Sequence, residues 1–252
     1  MYHTTGFSQE QITDLCAAIH SKTPDEKKTW PPILGLYKSV TVALTYMRRN
    51  RVQDELAETY GVSQSTISRA VTTVIPLLGE ILGEYVPTAD EFDGRTQYIV
   101  DGTLLPCWSW AAHPELYSGK HKTTGMNVQV ACTLSGDLAW ISAPIVGSRH
   151  DSYCLNESGA LVTSDPGNWI GDKGYVGNDM LTPIKKPKCR DLLDWEKEFN
   201  TQINKIRYLI EQVIANFKTW RIMHTDYRRP ISTFVQTISA VVALHFFKLA
   251  CE

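Results

Sequence analysis

The sequence predicts an α/β protein in two parts, an all-helical segment followed by a segment of strands and helices. Through PPILGLYKSVTVALTYMRRN (31–50) and the 30 residues after it, apolar side chains recur at helical spacing. Beyond PTADEFDGRTQ (87–97) the period shortens to that of strands. Three strand-like runs are followed by a helical run and a fourth, short strand. In that order the helix can return the chain so that the fourth strand lies parallel to the first. The boundary falls near residues 85–97, which gives a helical domain over 1–90 and a second domain over 91–252.

Composition narrows the class further. Of 252 residues, 43% are hydrophobic, enough for a sizeable core and too many for a disordered chain. Six cysteines are scattered without a CxxC pair, so neither a disulfide framework nor a zinc ribbon is expected, and a reducing, cytoplasmic setting fits best. The longest apolar run, FVQTISAVVALHFFKLA (234–250), is broken by Gln236, His245 and Lys248 and reads as a buried terminal helix, not a membrane span. The net charge of −2 does not mark a general nucleic-acid binder, yet residues 185–229 hold 11 Lys and Arg against 6 Asp and Glu. A basic segment of this kind guides partners without identifying them.

In the helical part, QDELAETYGVSQSTISRAVTTV places Leu56 and Ala57 on one helix, Gly61 at a tight turn, Ser63 at a cap, and Val62 and Ile67 back in the core. This is the layout of a helix-turn-helix over about residues 51–75. Its second helix would offer Gln64, Ser65, Thr66, Ser68 and Arg69 to a DNA groove, as residue types that bond to base edges or phosphates. An ordinary helical pair in a core is the competing reading.

In the second part the strand runs are YIVDGTLLPCW (98–108), MNVQVACTLSG (126–136), DLAWISAPIVG (137–147) and WIGD (169–172), with HDSYCLNESGALV (150–162) as the intervening helix. From about Asp194 a helical pattern resumes. There Ile203, Ile206, Ile210, Val213, Phe217 and Trp220 share one face, while Asn204, Arg207, Glu211 and Lys218 form a narrow polar stripe. Asp101 ends YIVD and Asp172 ends WIGD. If the first and fourth strands are parallel neighbours, both acids emerge at one sheet edge, where a packed helix can bring Glu211 over them. Three converging carboxylates are what two magnesium ions need to share a phosphodiester. The glycines around Asp172 (Gly171, Gly174, Gly177) would then let metal and DNA backbone approach. A strand-end Asp is by itself more often a turn former. Asp151, at the start of the connecting helix, reads either as an ordinary cap or as an alternate acid. Lys120, His121 and Lys122 are candidate phosphate contacts or a solvated hairpin; Trp108 and Trp110 either stack on an unpaired base or pack in the protein.

These residues resemble the DDE transposases of bacterial insertion sequences, in the group related to Harbinger elements, over about residues 35–250. The shared motifs are VDGT around Asp101, YSGKHKTTGMNVQV, GSRHDS around Asp151, GDKGY around Asp172, and Arg207, Glu211 and Lys218 in their spacing. The resemblance implies a ribonuclease-H-like fold with an Asp101, Asp172, Glu211 triad, supported by Asp151, Arg207 and Lys218. It implies DNA strand cleavage and transfer dependent on two Mg2+ ions, with Mn2+ as a substitute. Implied partners are double-stranded DNA with terminal inverted repeats, target DNA and further copies of the chain on that DNA, in a bacterial, nucleoid-associated setting. A transposase-derived regulator that binds DNA without chemistry, or a nuclease that cuts without joining, would share most of these features.

Overall fold

The computed structural model of the protein describes residues 2–108 and 111–251. Its contacts divide into two compact units, residues 1–86 with 218–252 and residues 87–217. The helices are α1 (Tyr2–Thr5), α2 (Gln9–Lys22), α3 (Gly35–Arg49), α4 (Gln53–Tyr60), α5 (Gln64–Ile81), α6 (Asp151–Glu157), α7 (Asp194–Phe217) and α8 (Phe234–Ala250). The strands are β1 (Tyr98–Pro106), β2 (Tyr117–Ser118), β3 (Thr123–Thr133), β4 (Leu138–Ile141), β5 (Ile145–Val146) and β6 (Trp169–Ile170).

The first unit is helical throughout. Ser8 caps α2 in a reciprocal box with Gln11, which satisfies backbone donors that the first turn leaves open. The expected helix-turn-helix is present as α4 and α5. Gly61 ends α4 at φ +63°, a conformation glycine adopts without penalty. Ser63 then starts α5 by accepting a bond from the Thr66 N–H at 3.3 Å. On α5 the buried Ile67, Ala70, Val71, Val74 and Leu78 form the inward face.

Helix α8 is long and apolar enough to cross a membrane, but most of it is buried inside the first unit. Opposite its Ala240, Gly79 of α5 carries no side chain; a Cβ there would stand 3.4 Å from the Ala240 backbone nitrogen, so the glycine permits close packing. This packing differs from the sequence-based division at residue 90, which placed 218–252 in the second domain. A helix apolar on nearly every side must be enclosed, and α5 supplies the matching apolar surface.

The second unit is built on a mixed sheet flanked by helices, in the order β2-β3-β1-β6, with β4 and β5 also paired to β3. β3 runs antiparallel to β1 along the whole length of β1, from Tyr98 opposite Thr133 to Pro106 opposite Gly125. β6 joins the other side of β1 in parallel, pairing Tyr98 with Trp169 and Ile99 with Ile170, as the strand–helix–strand order predicts. The run DLAWISAPIVG, expected as one strand, is split into β4 and β5 around Pro144, which has no N–H to give the ladder.

An aromatic cluster holds the sheet edge together. Phe92 packs edge-on against Tyr98 and Trp169, each at 4.8 Å between ring centroids, and against Trp140 at 5.6 Å. α7 is fastened at its start by Glu196, whose carboxylate takes a two-pronged bond from Arg190 at 2.7 Å on each side and one from the Leu193 N–H. The Arg190 guanidinium, aided by that N–H, holds the Glu196 carboxyl down at about 2.

Gly61→Ala forces a side chain into the left-handed region and is expected to destabilise the first unit by about 1–2 kcal/mol. Gly83→Ala, where no positive φ is required and no atom lies within 4 Å, should change little. Thermal unfolding of both variants measures the contrast; equal shifts would contradict the role given to the turn.

Candidate active site

Asp101 and Asp172 each follow the last β1–β6 pair, Ile99 with Ile170, by two residues along the chain. Because the strands are parallel, both acids stand level with each other, but only Asp172 follows the end of its strand: Asp101, expected to end the first strand, lies inside β1 opposite Val130, and β1 runs on to Pro106 because its ladder with β3 continues. The Asp101 carboxylate accepts a bond from the Gly102 N–H at 2.9 Å and, from α7, one from Arg207 Nη2 at 3.0 Å. Both partners of that ion pair are shielded, with side chains 18% and 13% exposed for Asp101 and Arg207. Burial pushes the Asp101 pKa up to about 6, with the nearby charges of Asp172 and Asp151 adding to the rise and Arg207 and Lys120 opposing it.

Asp151 lies at the first turn of α6 and is buried. Its carboxylate accepts from Lys120 Nζ at 2.7 Å and from Asn127 Nδ2 at 2.8 Å. The chain of bonds runs inward: Gln129 donates to Asn127 at 2.7 Å, and the buried Tyr175 hydroxyl donates to Gln129 at 2.6 Å. A Cβ on Gly102 would stand 2.1 Å from Asp151 Oδ1, so the glycine after Asp101 is what lets the Asp151 carboxylate lie against β1. Asn127, Gln129 and Tyr175 did not enter the sequence-based site. Their signal was two amides at alternate positions of an otherwise apolar strand, which places both on one face.

Asp172 accepts a bond from the Gly174 N–H at 2.6 Å and so caps the short turn that follows. The glycines around it serve the protein itself. At Gly171 a Cβ would meet the Tyr175 ring at 2.8 Å, at Gly174 it would meet the Asp172 carboxylate at 2.7 Å, and Gly177 takes φ +107°. Their expected role in admitting metal and DNA backbone gains no geometric support.

Glu211 is exposed on α7, one turn beyond Arg207, and is not among the charges acting on Asp101. Lys218 follows the end of α7 and belongs to the first unit, with its pKa lowered by burial. Arg207 thus bonds to Asp101, which lies among the charges of Asp172 and Asp151. Among the described residues no three His, Cys, Asp or Glu side chains already converge as a metal cage. The donor set is nonetheless of the right chemistry: clustered carboxylate oxygens suit a hard divalent cation. Arg207 Nε is buried with no hydrogen-bond partner among the described residues, which marks a donor still lacking its acceptor.

Around the acids, burial works against the Lys120 ammonium, but its bond to Asp151 and the three aspartate charges together raise its pKa. Lys120, expected to contact phosphate, is therefore engaged inside the site. Lys122 is exposed in the adjoining turn at φ +55°. Trp108 is exposed; Trp110 lies outside the described residues.

In the helix-turn-helix, Gln64, Ser65 and Arg69 are exposed and Ser68 is half-buried, whereas Thr66 is buried. The Thr66 hydroxyl sits 2.9 Å from that of Ser63. Thr66 therefore serves the cap and leaves the groove-facing set, because position three of a helix turns back toward its own N-terminus.

A family model described as DDE superfamily endonuclease matches residues 100–245, and one described as helix-turn-helix of DDE superfamily endonuclease matches residues 39–84. A protein of Streptomyces albus G, named as a transposase for insertion sequence element IS112, is 28% identical over 222 residues, covering 87% of this chain and 83% of that one. One of Microchaete diplosiphon, named as a transposase for insertion sequence element IS702, is 24% identical over 244 residues, covering 92% and 88%. The Xenopus laevis protein named as the nuclease HARBI1 is 22% identical over 209 residues, covering 73% and 59%. No solved structure matches.

The Asp101 carboxyl supplies a pH test. Its folded pKa of about 6 lies above the ordinary unfolded value of about 3.9. Its contribution to stability is therefore fully present below the unfolded value and is lost as pH rises through about 6. In chelated buffer, the melting temperature of the unchanged protein should fall relative to that of Asp101→Asn across this window. A pH-independent difference would contradict the burial of this charge.

Proposed function

Since the chain belongs to the DDE superfamily endonucleases, we propose that it is a transposase that cleaves DNA at the ends of an insertion sequence and joins those ends to target DNA. The single observation that carries the site assignment is the parallel β1–β6 pairing, which sets Asp172 level with Asp101, with Arg207 bonded to the latter. The sheet, with β1 flanked by an antiparallel and a parallel neighbour, supports a ribonuclease-H-like catalytic domain.

Asp101, Asp172 and Glu211 are the carboxylates assigned to hold two divalent cations, Mg2+ or Mn2+ in its place. When bound, such a pair supplies Lewis acidity at the attacking and leaving oxygens of a phosphodiester. Asp101 must be ionised for this role, and Arg207 both favours that form and fixes the carboxylate's direction. Glu211 would come to the site from the next turn of the same helix. Asp151 supports from beneath, its orientation set by Lys120 and Asn127.

In cleavage, a water oxygen bonds to phosphorus as the strand's 3′-oxygen leaves and takes up a proton. In joining, that 3′-hydroxyl attacks a target phosphorus and displaces the bridging 3′-oxygen there. The first unit would carry recognition of the terminal inverted repeats, through Gln64, Ser65, Ser68 and Arg69, and more than one copy would assemble on the DNA to bring two ends together.

Asp172→Asn keeps the capping bond to Gly174 but removes a ligand charge, so strand cleavage in Mg2+ should fall by two orders of magnitude or more while end binding persists. Asp151→Asn should lose less. A folded but inactive Asp151→Asn beside an active Asp172→Asn would reassign the second acid.

Gln64→Ala with Arg69→Ala should weaken binding to the element's ends and spare ion-dependent nicking of nonspecific duplex. A parallel loss of both activities would show that these side chains serve the fold instead.

A further inference from the structure

The first unit contains a groove of ≈ 570 Å³ lined on one side by residues of the helix-turn-helix family match and on the other by Arg228, Arg229, Pro230 and Thr233, which lie outside that match and outside the carboxylate site. One wall is a single stripe of α5, Gln64, Ser68 and Thr72, spaced four residues apart. The other includes three arginines, Arg51, Arg228 and Arg229. Arg228 and Arg229 come from the segment just before α8, far along the chain from the helix-turn-helix.

Both are held in place. Arg229 Nη2 donates to Thr72 Oγ1 at 2.9 Å, and Arg228 Nη2 donates to the Asn50 carbonyl at 2.7 Å. Asn50 is fixed in turn at φ +48° as the cap of α3, with its amide donating to Thr225 Oγ1 at 2.6 Å. The preceding Tyr227 is fully buried, stacked on Phe234 at 4.3 Å, with its hydroxyl within 2.7 Å of Thr233 Oγ1 and 2.9 Å of Thr237 Oγ1. Arg51 pairs with Glu55, and Asp54 also lines the groove. Among the described residues no ion pair involves Arg228 or Arg229. Two guanidinium groups, in no ion pair among the described residues, are thus pre-positioned beside the helix stripe that carries Gln64 and Ser68.

We propose that Arg228 and Arg229 form a second DNA contact, a clamp on the phosphodiester backbone flanking the groove that receives α5. A planar guanidinium fork matches a phosphate's oxygens, and anchoring one nitrogen leaves the remaining donors for that ligand. Phosphate contacts of this kind set the register of a reading helix without reading sequence themselves. The clamp rests on the DNA-binding reading of the helix-turn-helix and extends it to a segment outside it.

The test is binding of a fluorescein-labelled mixed-sequence duplex, followed by anisotropy across a salt series. Arg228→Gln with Arg229→Gln keeps a hydrogen-bond donor at each position but removes both charges. The slope of log affinity against log salt should flatten by about 1.8, at about 0.9 per phosphate contact, with affinity at least tenfold weaker at physiological salt. Arg228→Lys with Arg229→Lys should restore most of the slope.

In the unchanged protein, the same duplex should protect Arg228 and Arg229 from phenylglyoxal, read by mass spectrometry, which does not depend on any variant folding. Duplex binding with an unaltered slope in the Gln variant, or no protection of the two arginines, would overturn the clamp and leave the helix-turn-helix reading standing. Failure of the unchanged protein to bind duplex would overturn both.

Discussion

Two residue pairs between β1 and β6 determine where the chemistry of the second unit can lie. A strand of only Trp169 and Ile170 has too few ladder bonds to hold itself. Its position comes from side chains: Trp169 is fully buried, its indole N–H donates to Ser164 Oγ at 2.8 Å, and its ring meets Phe92 and Tyr98. Leu181 adds a further backbone partner on the outer side, exchanging bonds of 2.9 and 3.0 Å with Trp169 and Gly171. The aromatic cluster and this bridge hold Asp172 beside Asp101, and a one-residue slip would turn its side chain to the opposite face.

The resulting cluster of acids is balanced from within. Arg207 is bonded to Asp101 and Lys120 to Asp151, so two side-chain cations sit against two of three neighbouring carboxylates. Like charges in a shielded setting resist joint ionisation, which is why burial with Asp172 and Asp151 lifts Asp101 in spite of Arg207. A divalent ion would relieve the same repulsion more strongly. If the proposed ion binds there, its affinity would depend on how readily Lys120, on an exposed turn, gives way.

Much of this was legible in the sequence because it followed period and punctuation. The alternation of MNVQVACT, the Gly61 turn with its Ser63 cap and the apolar face of α7 each carry a local signal that the fold keeps, whereas the acid that ends the run YIVD lies inside β1, which continues to Pro106. The two-residue strands β2 and β5 are too short to show a period, and their pairing depends on β3. The reason for Gly102 was hidden because Asp151, whose carboxylate fills the missing Cβ position, is 49 residues away. Thr66 looked like a groove residue by type, yet helix geometry turns it inward onto Ser63. α8 was read as buried, but nothing local says against which part of the chain, and its partner is α5.

The central claim, that divalent ions bind between Asp101 and Asp172, is tested most directly by anomalous diffraction from crystals of the protein soaked in Mn2+. The account predicts a peak between those two carboxylates, with Asp172 turned from its capping bond toward the ion. A peak seated on Asp151 with Asp172 still bound to Gly174, or no peak near these carboxylates at saturating Mn2+, would contradict it.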